Sequence, residues 1–292
     1  METRLKTTLL VDGDIVCFQS AVKGEKRFPE FGEDAAVLDP DEALRNFETR
    51  MGTILRAVRE DVGEDFAVVL AFSCPSRRYF RHSLYLSYKS GRKGPRPALL
   101  TDVKAHAAAL FRVHTKPNLE ADDVLGILAT TDRYYPGRKI IATCDKDLLQ
   151  IPCGHINVDD VDAGVFQSTA EEGYLRFMRQ TLTGDAVDSY PGCPKVGPKK
   201  AAALLNLTQT PAEMWEIVVE QYAKRGLTEQ DALVQARLAR ILQAPDWNHE
   251  TQEPILWKHP KPYTPPSKIQ VPAKPSQPAP SATRKKVKVA ST

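Results

Sequence analysis

Three apolar runs of strand length alternate along the chain with segments whose apolar residues recur at helical spacing. Thr8–Val11, Phe66–Phe72 and Lys139–Thr143 are short and rich in aliphatic residues, which predicts buried strands. Between the first two, apolar residues at helical spacing predict an amphipathic helix from Pro40 to about Arg59. This alternation of strands and helices is typical of a parallel α/β sheet.

Further helices are predicted after the second strand, and from about residue 167 the chain is predicted to be mainly helical. Helices are predicted over Ala98–Phe111 and from Ala121 to about Thr131, and the acidic group Glu120–Asp123 suits a helix amino terminus. Ser168-Thr-Ala-Glu171 is typical of a capping box that opens a helix to about Leu182. Shorter helices are predicted near Lys199–Leu205, Pro211–Tyr222 and Thr228–Leu242. We therefore predict an α/β core over residues 1–167 and a helical region over residues 168–256.

The carboxyl-terminal stretch has a different composition. From Lys258 onward it contains eight Lys or Arg residues, eight of the 22 prolines and no Asp or Glu. Taking these eight positive charges from the formal net charge of +3 leaves −5 for the rest of the chain. Such a segment cannot build a core, so residues 257–292 are predicted to form a disordered basic tail. Two interpretations stay open: a tail that raises nucleic-acid affinity by counterion release, or a solubilising segment.

Composition places the chain among soluble globular proteins. Apolar residues make up 42% and charged residues 26% of its 292 residues, and no run of 18 apolar residues predicts a membrane span. The five cysteines form no CxxC pair, and Met1–Lys6 leads into the first strand without a signal-peptide pattern. We expect a reduced, cytoplasmic setting and no structural zinc.

Acidic residues occur in four separated packets, most of them at or beside the end of an apolar run. Ligands of parallel sheets bind outside the carboxyl ends of the strands, where Asp12, Asp145 and Asp147 fall. Carboxylates gathered in a poorly solvated site need a compensating cation, and hard oxygen ligands select Mg²⁺ or Mn²⁺. The sequence therefore predicts a magnesium site, most simply a two-metal one. The packets are Asp12 with Asp14, then Glu120, Asp122 and Asp123, then Asp145 with Asp147, and last Asp185 with Asp188.

A basic and aromatic stretch without any acidic residue lies between Cys74 and Thr101. Basic side chains neutralise phosphates and aromatic rings stack on unpaired bases, so the stretch predicts a nucleic-acid surface rather than a solvated loop. Its basic residues are Arg77, Arg78, Arg81, Lys89, Arg92, Lys93 and Arg96, and its aromatic residues are Tyr79, Phe80, Tyr85 and Tyr88.

A glycine-rich hairpin follows the last acidic packet. Gly192 and Gly197 precede a predicted helix, where backbone amides and the helix dipole can bind a phosphate. Lys195, Lys199 and Lys200 add positive charge. A plain turn is the alternative, but the short distance from Asp188 favours a contact with the DNA backbone beside the metal site.

Six motifs in order resemble the flap endonuclease or 5′-nuclease family, most closely the short phage gene 6-type 5′→3′ exonucleases. The resemblance spans residues 11 to about 200. It implies a PIN-like α/β fold with a mostly parallel sheet flanked by helices, a basic arch or clamp over residues 74–118 and a helix–hairpin–helix-type DNA-binding segment. The motifs are Val11-Asp-Gly-Asp14, Tyr88-Lys-Ser-Gly-Arg92, Glu120-Ala-Asp-Asp123, Cys144-Asp-Lys-Asp147, Gly184-Asp-Ala-Val-Asp188 and Gly192-Cys-Pro-Lys-Val-Gly197-Pro-Lys.

The same resemblance implies a role for each site residue. Lys89 and Arg92 look like the basic residues that contact the scissile phosphate. The hairpin is implied to bind duplex backbone, in some relatives through K⁺, although Lys195 stands where glycine is more usual. The first metal would be bound by Asp12, Glu120, Asp122 and Asp123, and the second, directly or through water, by Asp145, Asp147, Asp185 and Asp188. The implied DNA-binding residues are Arg77, Arg78, Arg81, Tyr88, Lys93, Gly192, Lys195, Gly197, Lys199 and Lys200.

One family feature is missing from this sequence. The family generally has an aspartate after its second core strand, where this chain has Phe72-Ser-Cys-Pro75. Asp14 is a candidate replacement, although a polar turn residue is its plainer role. The first metal site is therefore the weaker half of the prediction.

The expected activity is Mg²⁺-dependent 5′→3′ exonuclease or flap endonuclease cleavage of DNA in phage replication and recombination, with Mn²⁺ able to replace Mg²⁺. Expected partners are duplex 5′ ends, nicks and flaps, with RNA primers and RNA–DNA hybrids left open. We expect a monomer, and a contact between its tail and another replication protein is left open. The alternatives are a non-catalytic DNA-binding protein of the same fold and a phage RNase H of the same family. A generic α/β phosphatase would not explain the basic stretch.

Overall fold

A mostly parallel sheet forms the centre of the described chain. The structure is a computed structural model that describes residues 6–28, 36–92 and 94–260. Within these residues the sheet has six strands in the order β5-β4-β1-β6-β7-β8, and only β8 runs antiparallel to its neighbour. The strands are β1 (Thr7–Asp12), β4 (Phe66–Ala71), β5 (Arg112–His114), β6 (Arg138–Ala142), β7 (Gly154–Ile156) and β8 (Phe166–Gln167).

Helices cover both faces of this sheet, which explains the continuous apolar runs of its central strands. Leu9 and Val11 point into one core and Leu10 into the other, as alternation along a strand requires. The first core is covered by α1 (Gly13–Lys23), α2 (Pro40–Val62) and α4 (Leu100–Leu110). The second is covered by α5 (Ala121–Ala129) and by Ile241, Leu242 and Trp247. A hairpin of β2 (Glu25–Arg27) and β3 (Ala36–Leu38) lies outside the sheet.

The helical region packs onto the α/β core instead of standing apart from it. It contains α6 (Ala170–Thr183), α7 (Pro198–Leu204), α8 (Pro211–Ala223), α9 (Glu229–Ala239) and a small hairpin of β9 (Trp247–Asn248) and β10 (Glu253–Pro254). Because Ile241, Leu242 and Trp247 complete a core under the sheet, the described residues form one compact unit. The sheet ends with β8 at Gln167 and helices follow from Ala170, so the α/β core and the helical region are successive parts of this unit.

Three sequence predictions need correction. The capping box of α6 pairs Thr169 with Glu172, one residue later than predicted. The helix α1 and the short strands β5, β7 and β8 were not predicted. Trp257, assigned to the tail, packs edge-on against Phe177. The segment 74–118, predicted as a basic arch or clamp, contains in its described residues the one-turn helix α3 (Arg81–Leu84), α4 and β5.

Two predictions fall on residues that the structure does not describe. Lys93 and the tail from residue 261 onward lie outside the described residues. In the part of the chain that is described, no helix is long and apolar enough to cross a membrane.

Candidate active site

Asp12 lies at the carboxyl end of β1, where it also caps α1. Its Oδ1 accepts a hydrogen bond from the amide of Ile15 at 3.1 Å, and its Oδ2 accepts one from the hydroxyl of Thr143 at 3.0 Å. The Thr143 hydroxyl in turn accepts the amide of Asp145 at 3.0 Å. One side chain after β6 therefore ties two acidic packets together. Thr143 was not predicted as a site residue, because its only signal in the sequence is its place between a strand and an acid.

Asp12, Asp122 and Asp145 form a group of carboxylates, hereafter the inner acids, that lie near one another. Asp12 is 1% exposed, and burial, followed by the charge of Asp14, raises its pKa to about 7. Burial also raises the pKa of Asp122 well above its ordinary value, and the charges of Asp12 and Asp145 raise it further. No Lys or Arg among the described residues forms an ion pair with any of the three, and the nearby charge of Lys89 offsets only part of the rise in the pKa of Asp122. The group therefore needs an external cation to ionise fully.

Asp147 joins this group to the fourth packet. Burial, followed by the charge of Asp145, raises the pKa of Asp147 to about 6, and the nearby Asp185 and Asp188 raise it further. Asp185 closes a tight turn, because its Oδ1 accepts the amides of Val187 at 2.7 Å and Asp188 at 3.2 Å. The four packets thus meet at one edge of the sheet, as predicted.

Basic side chains occupy the other side of the site, where Glu120 and Asp188 lie. Lys89 forms an ion pair with Glu120 and lies 3.6 Å from Asp188. The Nε of Arg92 donates to Asp188 at 3.1 Å. The Tyr88 hydroxyl lies 2.8 Å from Glu120 and 3.0 Å from Asp188, so it bridges the two carboxylates. Two of the predicted acids are thus already paired with the two predicted catalytic cations.

Asp123 is a structural residue, and its predicted role as a metal ligand is wrong in this arrangement. It is fully buried and forms a two-pronged ion pair with Arg81 at 2.6 and 2.8 Å. Its oxygens also accept the backbone amides of Leu242 at 3.1 Å and Glu120 at 3.3 Å. With four hydrogen bonds accepted, both oxygens of Asp123 are committed to holding the fold together.

The donor chemistry of the inner acids fits a hard divalent cation. Within residues 6–28, 36–92 and 94–260, no three carboxylate, imidazole or thiol groups are close enough to form a ready-made coordination shell. However, Asp122 makes no hydrogen bond with another described residue, and the pKa of buried Asp12 is raised. Oxygen ligands that carry uncompensated buried charge suit Mg²⁺ rather than Zn²⁺.

Comparison with known proteins identifies the family. Residues 7–177, more than half of the chain, match the profile of the 5′-3′ exonuclease, N-terminal resolvase-like domain. The chain belongs to the 5′-3′ exonuclease family. It is 25% identical to the exodeoxyribonuclease of Enterobacteria phage T3 over 298 residues, which cover 86% of this chain and 93% of that protein. It is 24% identical to the exonuclease of Escherichia phage T7, with 87% and 94% covered.

Solved structures support the same fold. The T5 protein co-crystallised with metal ions is 11% identical to this nuclease and superimposes with a TM-score of 0.56, covering 80% of this chain and 89% of that chain. The resemblance inferred from six motifs is therefore confirmed, as are the PIN-like α/β fold and the nuclease class. A non-catalytic DNA-binding protein is not favoured.

The basic stretch of this nuclease divides into exposed and buried residues. Arg77, Arg78 and Arg96 are exposed. The pKa of Arg96 is lowered by partial burial and then by the charge of Arg77, so these two cations lie close together. Arg81 and Tyr88 are only 3% and 4% exposed. Their predicted contact with DNA is wrong, because their polar groups hold the acids from inside the protein.

The glycine-rich hairpin between α6 and α7 also contains both exposed and buried residues. Lys195, Gly197, Lys199 and Lys200 are exposed, whereas Gly192 is buried and its amide donates to Gln235 at 2.8 Å. Gly192 is therefore a structural residue, and its predicted DNA contact is wrong.

The conformation of Lys195 and the carbonyls of the hairpin bear on the predicted K⁺. Lys195 has φ +61°, a conformation that favours glycine, so it does occupy a glycine-like position. The carbonyl of Pro194 accepts a hydrogen bond from Arg225, and that of Cys193 accepts one from Val196. K⁺ at this hairpin stays a prediction.

Ser73 and Cys74 lie in the segment after β4 where the family aspartate was expected, and the contacts of Ser73 connect this segment to α5 and to Asp14. The Ser73 hydroxyl accepts the amide of Ala121 at 3.0 Å, so it caps α5, and the Ser73 amide donates to Asp14 at 3.1 Å. The other oxygen of Asp14 pairs with Lys104. Both oxygens of Asp14 thus have partners, which fits its plainer role as a turn residue.

Proposed function

We propose that this nuclease hydrolyses the phosphodiesters of DNA with Mg²⁺ bound by the inner acids and by Glu120. Asp145, which influences both Asp122 and Asp147, would be shared with a second ion near Asp185 and Asp188. Bound Mg²⁺ would lower the pKa of an attacking water and stabilise charge on the phosphate. Mn²⁺, which also prefers oxygen ligands, would substitute.

The observation that carries this proposal is the meeting of all four acidic packets beside Lys89 and Arg92. A cluster of carboxylates alone repels DNA, so its presence beside phosphate-binding cations needs a reason. A divalent cation removes the repulsion and at the same time provides the electrostatic stabilisation on which phosphoryl transfer depends. The curated relatives from phages T3 and T7 are named as exonucleases, which supports the same conclusion.

Lys89 and Arg92 would stabilise the reacting phosphate. Burial lowers the pKa of Lys89, so part of its charge depends on the carboxylates around it. With Glu120 and Asp188 holding a metal ion, the Lys89 ammonium and the Arg92 guanidinium would be free to pair with a phosphate oxygen. The backbone of Lys89 is held in place, since its amide donates to the carbonyl of Asp188 at 2.8 Å.

The DNA is proposed to reach the acids between the exposed arginines and the hairpin. Arg77, Arg78 and Arg96 would contact backbone phosphates on one side. On the other side a groove of about 740 Å³ is lined by Asp147, Asp185 and Pro198, so it connects the acids with α7 and its exposed lysines. A bacteriophage T5 flap endonuclease of similar fold has been crystallised with DNA and metal ions, which is consistent with this path.

Substitution of one inner acid tests the proposal. We expect Asp145→Asn to abolish cleavage of a 5′-labelled duplex or flap in Mg²⁺ while DNA affinity, measured by fluorescence anisotropy, is retained. Lys89→Met should lower kcat by about 10²–10³-fold, as loss of one donor to developing charge does elsewhere. The matched control is Asp162→Asn, which removes an exposed carboxylate away from the site. Wild-type turnover by Asp145→Asn would refute the proposal.

A further inference from the structure

Arg81 is the most completely bonded side chain near the site. It is 3% exposed, and all five of its N–H groups donate. Its Nη1 donates to Glu120 at 3.1 Å and to Asp123 at 2.6 Å. Its Nη2 donates to Asp123 at 2.8 Å and to the carbonyl of Arg240 at 2.6 Å, and its Nε donates to the carbonyl of Leu238 at 3.0 Å.

These bonds join two helix termini that are far apart in sequence. Glu120 and Asp123 lie at the amino terminus of α5, and the carbonyls of Leu238 and Arg240 lie at the carboxyl terminus of α9. A helix carboxyl terminus leaves carbonyls unpaired and carries partial negative charge, which suits a guanidinium. The buried Arg81 guanidinium thus provides hydrogen-bond donors for two carboxylates and for the carbonyls at a helix end.

The same geometry gives the two carboxylates different tasks. Both oxygens of Asp123 are consumed by Arg81 and by backbone amides. Arg81 and Tyr88 hold only the Oε2 atom of Glu120, whose Oε1 faces Lys89 on the side of the site. Holding one oxygen by two donors fixes the direction in which the other oxygen points.

We propose that Arg81 is a positioning residue that aims Glu120 into the metal-binding site by tying α5 to the end of α9. The inference rests on the proposed function, since it assumes that Glu120 binds metal. It makes Leu238, Arg240 and Leu242 part of the scaffold of the site, although they lie beyond residues 7–177 that match the family profile. Lysine cannot replace this arginine, because its donors radiate from one nitrogen and cannot reach both helix termini.

Mn²⁺ binding to the DNA-free, full-length protein tests the inference without any activity measurement. Free Mn²⁺ is followed by electron paramagnetic resonance, well below the melting temperature of each variant. We expect Arg81→Lys to weaken Mn²⁺ binding about 10–100-fold, the range seen when a residue that orients a metal ligand is lost. Asp246→Asn is the matched control, because it breaks the buried ion pair with Arg240 in the same segment without touching Glu120 or Asp123. It should keep the wild-type affinity.

A double-mutant cycle shows whether Arg81 acts through Glu120. The loss caused by Arg81→Lys should largely disappear in a Glu120→Gln background, because the two changes remove the same contribution. Wild-type Mn²⁺ affinity in folded Arg81→Lys, or full additivity in the cycle, would overturn the inference. Should Arg81→Lys not fold, Asp123→Glu displaces the guanidinium by one methylene and should weaken Mn²⁺ binding in the same way, and wild-type affinity there would overturn it.

Failure of the proposed function gives a different result. If Glu120→Gln binds Mn²⁺ as the wild type does, Glu120 is not a metal ligand and the proposed site itself is wrong. If Glu120→Gln is impaired while Arg81→Lys is not, only the positioning role of Arg81 fails.

Discussion

Two groups of carboxylates at the same edge of the sheet are compensated in opposite ways. Glu120, Asp123 and Asp188 form ion pairs with Arg81, Lys89 and Arg92. The inner acids Asp12, Asp122 and Asp145 have no such ion pair among the described residues, and burial raises the pKa of Asp12 and Asp122. The negative charges of the first group are compensated within the protein, whereas those of the second group require a cation from outside.

This difference is greatest between Asp123, whose two oxygens are fully engaged inside the protein, and the inner acids, which form no ion pair. A buried carboxylate paired with arginine loses its partner only at a large cost, so it makes a rigid support. A buried carboxylate without a partner favours any divalent cation that enters, so it makes a binding site. The inner acids are therefore the centre of the proposed metal site, and Asp123 is the support beside it.

Asp123→Asn should have the largest effect on stability. The amide nitrogen of the introduced asparagine would face the Arg81 guanidinium and leave that charge partly unpaired. We therefore expect the free energy of unfolding to fall by about 3–5 kcal/mol. Urea denaturation in EDTA measures it. Asp122→Asn is the comparison, because it removes an uncompensated charge and should leave the metal-free protein as stable as the wild type or more so. Equal losses in the two variants would show that the two groups do not differ.

The pH dependence of the metal-free protein should have an intermediate effect. The pKa values of Asp12, about 7, and Asp147, about 6, lie above the ordinary value for aspartate, so the folded state binds these protons more tightly than the unfolded chain. Their contribution therefore destabilises the metal-free fold as pH rises from about 4 to about 7, and Mg²⁺ should reverse this. We expect the Mg²⁺-induced rise in Tm to be larger at pH 8 than at pH 5 by about 3 °C or more.

Differential scanning fluorimetry in Mg²⁺ and in EDTA checks this expectation. Asp12→Asn is the control, since removal of the carboxylate should reduce the difference between the two pH values. An Mg²⁺-induced shift as large at pH 5 as at pH 8 would contradict the assignment of the inner acids as the uncompensated group.

Tyr88→Phe should have the smallest effect. The variant loses the hydroxyl that bridges Glu120 and Asp188 and keeps the buried ring, so we expect the free energy of unfolding to fall by about 1 kcal/mol. DNA affinity, measured by anisotropy, should stay unchanged because the ring is not exposed for stacking. Exposed Arg78→Ala is the opposite case, with weaker DNA binding and unchanged stability. A clear loss of DNA affinity in Tyr88→Phe would show that Tyr88 contacts DNA after all.

Sequence patterns predicted most of the long elements but missed the helix α1 and the short strands of the sheet. The buried strands β1, β4 and β6 and the amphipathic helix α2 carry enough apolar residues for their period to be recognised. The strands β5, β7 and β8 have three, three and two residues, too few to show a period. They form because the sheet offers an edge for hydrogen bonding, which is a property of the folded neighbourhood.

The acid packets were predicted by residue type, but the orientation of each acid was not. Asp122 and Asp123 are consecutive, and successive helical residues point about 100° apart, so they cannot share one environment. Which of them faces the site depends on where Arg81 lies, and Arg81 comes from a segment that sequence alone could only describe as basic. The same reasoning explains why Arg77 stays exposed while Arg81 is buried.

By itself, the sequence determined the fold class, the nuclease family and the four packets that converge, because apolar period and motif order depend on neighbouring residues in the chain. Only the tertiary structure decided which charges neutralise one another. An ion pair depends on distance and burial, and the contacts of Arg81 with Asp123, Leu238 and Arg240 join residues that are 42, 157 and 159 positions apart. No local pattern records such separations, so the division between support and metal site appears only in the folded protein.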